Sequence, residues 1–228
     1  MIEAVLFDGD QTLWDFQKVM VTALGAVLDE LRLARPGAGT DALRLADLSA
    51  DRDAVARELD GTEFNLARLR ALGFARTLGR LQPERGQWTE QQDGALVEQL
   101  VESYFEHRDR DPALFDDTID CLTSLRHHYR LGLLSNGSRL PETVGLGGFF
   151  EVVVFAQDHR VAKPDRAIFE IVEQQMQIEP HQAVLIGDHP HNDVVGAKRS
   201  GWRAIWIDRQ GGTAATWRPT ASPTSPMP

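Results

Sequence analysis

Four places in the chain combine a short apolar run, of the kind that forms a buried strand, with residues able to handle phosphate, a cation or a proton. The first is Val5-Leu6-Phe7-Asp8-Gly9-Asp10-Gln11-Thr12-Leu13, which ends in two carboxylates two positions apart. Side chains alternate along a strand, so residues i and i+2 leave from the same face. Two neighbouring carboxylates repel, and keeping both ionised in a dry cleft is costly unless a cation or a proton compensates. The pair therefore suits a divalent cation beside one carboxylate and a proton on the other. Magnesium is the ion that prefers oxygen ligands and phosphate-bearing substrates. Taken alone, the segment fits a strand-ending turn with two solvated aspartates equally well.

The second place is Leu131-Gly132-Leu133-Leu134-Ser135-Asn136-Gly137. Ser135 could donate to a phosphate oxygen, as could backbone N–H groups around Asn136, although Ser-Asn-Gly is also a common turn. The third is Val161-Ala162-Lys163-Pro164-Asp165. A lysine on a proline-stiffened turn can offer a fixed positive charge, and a lone lysine before a helix is ordinarily just solvated. The fourth is Val184-Leu185-Ile186-Gly187-Asp188-His189-Pro190-His191-Asn192-Asp193. It adds Asp188 at a strand end and Asp193 at the start of a helix, where an aspartate often serves only as a cap. His189 and His191 raise a transition-metal reading, but the surrounding oxygen donors favour magnesium.

Positioning these residues requires a particular set of elements. Ala4–Phe7, Leu131–Ser135, Val152–Phe155, Ala183–Ile186 and Ala204–Ile207 are apolar runs expected to form a parallel sheet buried on both faces. Helical patterns separate the last four runs, including Arg166 to Gln177 and a segment from near Asn192 to Gly201, which gives repeated strand–helix units. The first strand should lie between those starting near Leu131 and Ala183. In open parallel sheets ligands bind outside the carboxyl ends of the strands. Asp8, Asp10, Ser135 and Asp188 all fall at such ends, with Lys163 in a following loop, and turns alone do not account for the whole set.

The stretch from about Trp14 to Tyr129 is too long for one crossover helix. Leu24, Val27, Leu28 and Leu31 share a helical face; Phe64, Ala67, Leu69, Leu72 and Phe74 form a less regular second set; a third runs from Leu96 to Phe105. Pro36-Gly37-Ala38-Gly39, Gly61, Pro83 and Gly86 separate the pieces. The expected fold is α/β: a Rossmann-like parallel sheet core of residues 1–14 and 116–210 with helices on both faces. An all-helical cap domain, 15–115, is inserted into it, and a Pro/Thr-rich tail, 211–228, is expected to be flexible.

With these motifs in order, the chain resembles the haloacid dehalogenase-like hydrolase superfamily, in the branch with a helical cap between the first and second motifs. Asp8, Asp10 and Thr12 match its Asp-x-Asp-x-Thr motif, Ser135 with Asn136-Gly137 its second, Lys163-Pro164 its third, and Gly187-Asp188 with Asn192-Asp193 its fourth. Gln11 stands where a glycine is usual and His189 where a small residue is usual. The resemblance implies a magnesium-dependent phosphatase in which Asp8 is the nucleophile and carries the phosphoryl group. Asp10 would be the acid and base. Ser135, Asn136 and Lys163 would bind the phosphate, while Thr12 and Asp193 would support the loop and the lysine. Mg²⁺ would be held by Asp8, Asp188 and the backbone carbonyl of Asp10.

The implied substrate is a small phosphorylated metabolite under a closing cap. Arg68, Arg70 and Arg76 are candidates for an anionic substrate, and solvated surface arginines are their ordinary alternative. Trp14 either lines the pocket or packs at the domain junction. A phosphomutase would keep the same residues. A dehalogenase would attack carbon and need neither metal nor an acid at Asp10. A phospho-accepting receiver module would lack the long insertion and would preserve its acyl phosphate.

Composition excludes other classes. With 34 acidic and 24 basic residues the net charge is −10, which disfavours nucleic acid and anionic membranes as partners. The single cysteine, Cys121, cannot form an internal disulfide and is expected as a buried helix residue beside Ile119, Leu122 and Leu125. No run approaches the ~18 apolar residues of a membrane span and the N-terminus has no signal-peptide pattern, so a cytoplasmic enzyme is expected. Oligomeric state has no sequence signal.

Overall fold

The computed structural model describes residues 1–59, 62–81, 89–111 and 113–209. The expected breakers Gly61, Pro83 and Gly86 and the 211–228 tail lie outside these. The elements run β1 Ala4–Phe7, α1 Phe16–Ala34, α2 Ala38–Asp41, α3 Leu45–Glu58, α4 Leu66–Leu81, α5 Glu90–Arg110 and α6 Thr118–Leu125. They continue with β2 Arg130–Ser135, β3 Val152–Phe155, α7 Ala156–His159, α8 Arg166–Met176, β4 Ala183–Gly187, α9 Gly196–Arg199 and β5 Arg203–Trp206.

All strand pairs are parallel, in the order β3-β2-β1-β4-β5, so β1 lies between β2 and β4. Register places Phe7 beside Leu133 and Ile186, so Asp8 leaves the sheet where its neighbours also end. Strand alternation divides the core. Ala4, Leu6, Leu134, Val154 and Leu185 pack against Ile168, Phe169 and Val172 of α8 and Ala197 of α9. Val5, Phe7, Leu131, Leu133 and Phe155 pack on the other face with Trp14, with Leu122 of α6 and with Val144 and Leu146. Such double burial is why β1 to β4 are largely apolar, whereas β5, at the sheet edge, is not buried on both faces as expected: Arg203 and Ile205 are exposed.

Between β1 and β2 lies a helical insertion with its own apolar cluster, in which Leu24, Val27, Leu28, Leu31, Phe74, Leu100 and Tyr104 meet. Asp15 caps α1 by accepting from Lys18 N at 2.9 Å, and Thr89 with Gln92 forms a capping box on α5. The outgoing and returning chains pair at the junction: Asp15 N–H donates to Ala113 O at 2.8 Å and Phe115 N–H to Leu13 O at 3.1 Å. No described helix is long and apolar enough to cross a membrane.

Three local expectations are corrected. The β2–β3 connection carries only a 3₁₀ turn, Pro141–Val144, because Gly145, Gly147 and Gly148 interrupt any longer helix. Cys121 is helical but exposed, since Thr118 and Leu122 mark the buried face and Cys121 falls outside that stripe. Phe64 precedes α4 and packs against the sheet cluster rather than with Leu69 and Phe74. The segment from Asn192 to Gly201 resolves into a π-helical turn, Pro190–Val195, followed by α9.

Candidate active site

Asp8, Asp10, Ser135, Asn136, Lys163, Asp188 and Asp193 line one cavity at the carboxyl ends of β1, β2 and β4. Lys163 is buried, and its Nζ lies 2.7 Å from Asp8 Oδ1, from the Leu134 carbonyl oxygen and from Asp193 Oδ1. Asn136 fixes the lysine by its backbone: Nδ2 donates to Lys163 O at 3.0 Å, and Lys163 N–H donates to Oδ1 at 2.9 Å. The Asn136 amide is therefore committed to the lysine loop. Ser135 Oγ is buried and accepts from Gly137 N–H at 3.0 Å.

Asp193 contacts both the lysine and the following turn. One carboxylate oxygen meets Lys163; the other accepts from His189 N–H at 2.9 Å. It packs over Gly187, where an added Cβ would lie 2.3 Å from Asp193 Oδ2. His189 Nδ1 accepts from His191 N–H and Asn192 N–H, both at 3.2 Å, so this residue caps the following turn.

Asp10 reaches the cavity from a tight turn. Gln11 occupies the left-handed region at φ 58°, a conformation glycine adopts without penalty. The turn brings Trp14 back so that its indole N–H donates to Asp10 Oδ1 at 2.6 Å. Gly9 leaves room for this: a Cβ there would meet Trp14 Cζ2 at 2.4 Å. Gly137 performs the same service opposite, since its Cβ would sit 2.7 Å from Asp10 Oδ2. Thr12 is buried; its N–H donates to Gly9 O at 3.2 Å and its carbonyl oxygen accepts from Arg209 at 2.9 Å. The Thr12 hydroxyl has no hydrogen-bond partner among the described residues.

Electrostatics favour an added cation. Burial pushes the Asp8 carboxyl up, against the pull of Lys163, and Asp193 and Asp10 add to the rise. Burial likewise raises Asp188 to about 6, with Asp193 contributing. Burial opposes the Lys163 charge, but Asp8 and Asp193 outweigh it and its pKa is raised. Carboxylate oxygens of Asp8, Asp188 and Asp193 lie within 4.8 Å of one another, an oxygen-only donor set that could hold a metal ion. With Asp193 committed to Lys163 and His189, Asp8 and Asp188 are the carboxylates left to face such an ion. That set fits a hard cation such as Mg²⁺ and does not call on His189 or His191.

Asp10 also faces a second cavity, under the insertion, lined by Phe16, Arg52, Leu66, Arg70, Tyr104, Phe105, Arg108, Gly137, Ser138 and Arg139. Burial raises the Asp10 carboxyl, opposed by the Trp14 hydrogen bond and by the charges of Arg108, Arg139 and Lys163. Sequence reading does not single out Arg108, Arg139 or Tyr104, which approach Asp10 only through the packing of α5 and the loop after β2. Of the three arginines it does name, Arg68 and Arg76 pair with Glu63 and Glu58 on the surface, and Arg70 is buried.

A family model described as haloacid dehalogenase-like hydrolase matches residues 2–201. A phosphoserine phosphatase of Thermus thermophilus is 30% identical over 118 residues, 49% of this chain and 47% of that protein. The chain thus matches about half the length of that relative. A glyceraldehyde 3-phosphate phosphatase of Methanopyrus kandleri is 27% identical over 215 residues, 92% of this chain and 85% of that one. Among solved structures, a 2-haloacid dehalogenase from Pseudomonas syringae pv. Tomato aligns with a TM-score of 0.76 at 26% identity, covering 93% of this chain and 89% of the other.

Proposed function

The chain belongs to the haloacid dehalogenase-like hydrolase family, and from that premise we propose that it is a magnesium-dependent phosphomonoesterase for a small phosphorylated metabolite. The observation that carries the reading is the convergence of Asp8, Asp10, Ser135, Lys163 and Asp188 on one cavity at the strand ends. The phosphatase names of its relatives support it.

Asp8 attacks phosphorus in line, its carboxylate oxygen forming a bond as the ester oxygen departs, and one difficult displacement becomes two easier ones. Asp10 donates a proton to the departing alcohol oxygen, and its burial favours the protonated form that this step needs. Asp10 then accepts a proton from the water that attacks the phosphoryl group on Asp8, releasing inorganic phosphate and restoring the carboxylate. The Ser135 hydroxyl, the backbone around Asn136 and the Lys163 ammonium hold the remaining oxygens. Asp193 and the Asn136 amide keep Lys163 in place, and Thr12 supports the loop. Mg²⁺, held by Asp8, Asp188 and the Asp10 backbone carbonyl, would supply positive charge against the transferring oxygens. The helical insertion acts as a cap that excludes bulk water and reads the alcohol.

The structural likeness to a haloacid dehalogenase favours one rival, attack of Asp8 on carbon. Such a reaction has no use for the acid that Asp10 provides. Release of phosphate from an aryl phosphate should require Mg²⁺ and stop with chelator. Halide release from a 2-haloacid in metal-free buffer, without any phosphatase activity, would replace this reading with the rival.

A further inference from the structure

Four arginines, Arg52, Arg70, Arg108 and Arg139, line the cavity beneath the insertion. Arg108 grips the Asp109 carboxylate at 2.8 and 3.1 Å, Arg139 donates to the carbonyl oxygens of Arg108 and Asp111, and Arg52 meets Asp53 at 2.8 Å. Arg70 has no such partner. It is only 7% exposed, its Nη2 donates to the Tyr104 hydroxyl at 3.1 Å, and its Nη1 is buried with no hydrogen-bond partner among the described residues. Its Cζ lies 4.3 Å from the Tyr104 ring centroid and 5.9 Å from that of Phe74, so aromatic faces pack against it, and the one acid whose charge acts on it, Asp53, is paired with Arg52.

A guanidinium stays charged at any working pH, and stripping it of water without a counter-charge is costly. Rings soften that cost without removing it. Arg70 lines a cavity that also contains Asp10 and Gly137. Asp10 and Gly137 line the strand-end cavity with Asp8 and Lys163 as well. A phosphomonoester spanning the two would have phosphorus at Asp8, its ester oxygen at Asp10 and its alcohol portion toward Arg70. The cavity is small, ≈ 50 Å³, which limits that portion to a short chain.

We propose that the substrate's alcohol carries a second anionic group and that the Arg70 guanidinium binds this group. The proposal rests on the phosphatase reading and narrows it to short phosphate esters whose alcohol portion carries an anionic group of its own. A carboxylate and a second phosphate present the same chemistry to the guanidinium, and Arg70 is a specificity residue for either.

The test compares kcat/KM, with Mg²⁺ present, for carboxymethyl phosphate, ethane-1,2-diol bisphosphate and ethyl phosphate. Wild type should prefer at least one doubly functional ester over ethyl phosphate by about 10 to 100-fold, the worth of one charge-assisted hydrogen bond. Whichever of the two it prefers identifies the anion as carboxylate or phosphate. Arg70→Gln should bring the preferred ester down toward ethyl phosphate while ethyl phosphate itself falls far less. Arg70→Lys, which keeps the charge and serves if the glutamine variant does not fold, should retain part of the preference. Arg76→Gln, altered on the exposed side of α4, should keep all of it. Equal rates for the three esters in wild type, or an equal loss on all three in both Arg70 variants, would overturn the assignment while the phosphatase reading stands. Hydrolysis of no phosphate ester would overturn both.

Discussion

Lys163 Nζ touches Asp8, Asp193 and the Leu134 carbonyl at 2.7 Å each, so one cation serves two acids before a substrate arrives. Asp8 and Asp10 occupy unlike settings within this field. Asp8 faces Lys163; Asp10 faces the indole of Trp14 and the arginines of the second cavity. That asymmetry suits a nucleophile and a proton carrier, and it predicts different failures. Asp10→Asn keeps the shape and the backbone carbonyl but removes the proton acceptor, so turnover should fall by ~10² to 10⁴-fold. Phosphate should then accumulate on Asp8, visible by mass spectrometry with a good leaving group. Asp8→Asn should lose turnover with no covalent species, and normal turnover in that variant would refute the mechanism. A receiver module would instead show a long-lived phosphorylated wild type. The seven acid, hydroxyl, amide and lysine side chains that line the strand-end cavity were legible because they fall at or shortly after apolar runs. The Trp14–Asp10 bond was not, because it depends on a turn in which Gln11 takes a positive φ. The Asn136 amide's hold on Lys163 was equally hidden, since it joins residues 27 positions apart.

At the scale of elements, the strands were the most readable part, since β1 and β3 occupy the residues their apolar runs mark out. Strands buried on both faces need no alternation, and a plain apolar run is their signature. Helix phase in the insertion was harder to read. Arg68, Arg70 and Arg76 lie on one helix with similar local neighbourhoods, and only the docking of α4 against α3 and α5 decides which is buried. Gly73 sets that docking on one side: an added Cβ would meet Arg52 Cα, a backbone atom, at 2.9 Å. Asp51 sets it on another, accepting from Thr77 Oγ1 at 2.7 Å and pairing with Arg80. Gly73→Ala therefore brings two effects into opposition. Intrinsic helix propensity favours alanine by about 1 kcal/mol. Forcing packed helices apart costs about 1–3 kcal/mol. The clash involves backbone and cannot be relieved by a rotamer change, so the variant should be destabilised overall. Thermal unfolding would measure it, and a raised Tm would show that the α3–α4 contact yields more easily than its spacing implies.

For the whole molecule, the net charge of −10 matters where the fold concentrates it. Parallel topology with β1 at the centre gathers Asp8 and Asp10 from one strand end and Asp188 and Asp193 from another, against the single ammonium of Lys163. The long insertion leaves between β1 and β2 and returns through paired backbone at Asp15–Ala113 and Leu13–Phe115, and its second cavity shares Asp10 with the first. Gathering like charges costs folding energy that the unfolded chain does not bear, since there the acids are far apart and solvated. A cation bound only by the folded state should therefore stabilise the whole chain, whatever the substrate. At a free Mg²⁺ concentration 100 times its Kd, linkage gives about 2.7 kcal/mol. For a chain of this length that corresponds to a rise in Tm of roughly 5–10 °C. Asp188→Asn should abolish most of that rise by removing a ligand. In chelator it should be at least as stable as wild type, because one repelling charge has gone. Scanning fluorimetry of both proteins with chelator and with Mg²⁺ separates the contributions. An unchanged wild-type Tm at millimolar Mg²⁺ would remove the ion from this site. A metal-free Asp188→Asn protein less stable than wild type would show that Asp188 is held by contacts that outweigh its repulsion.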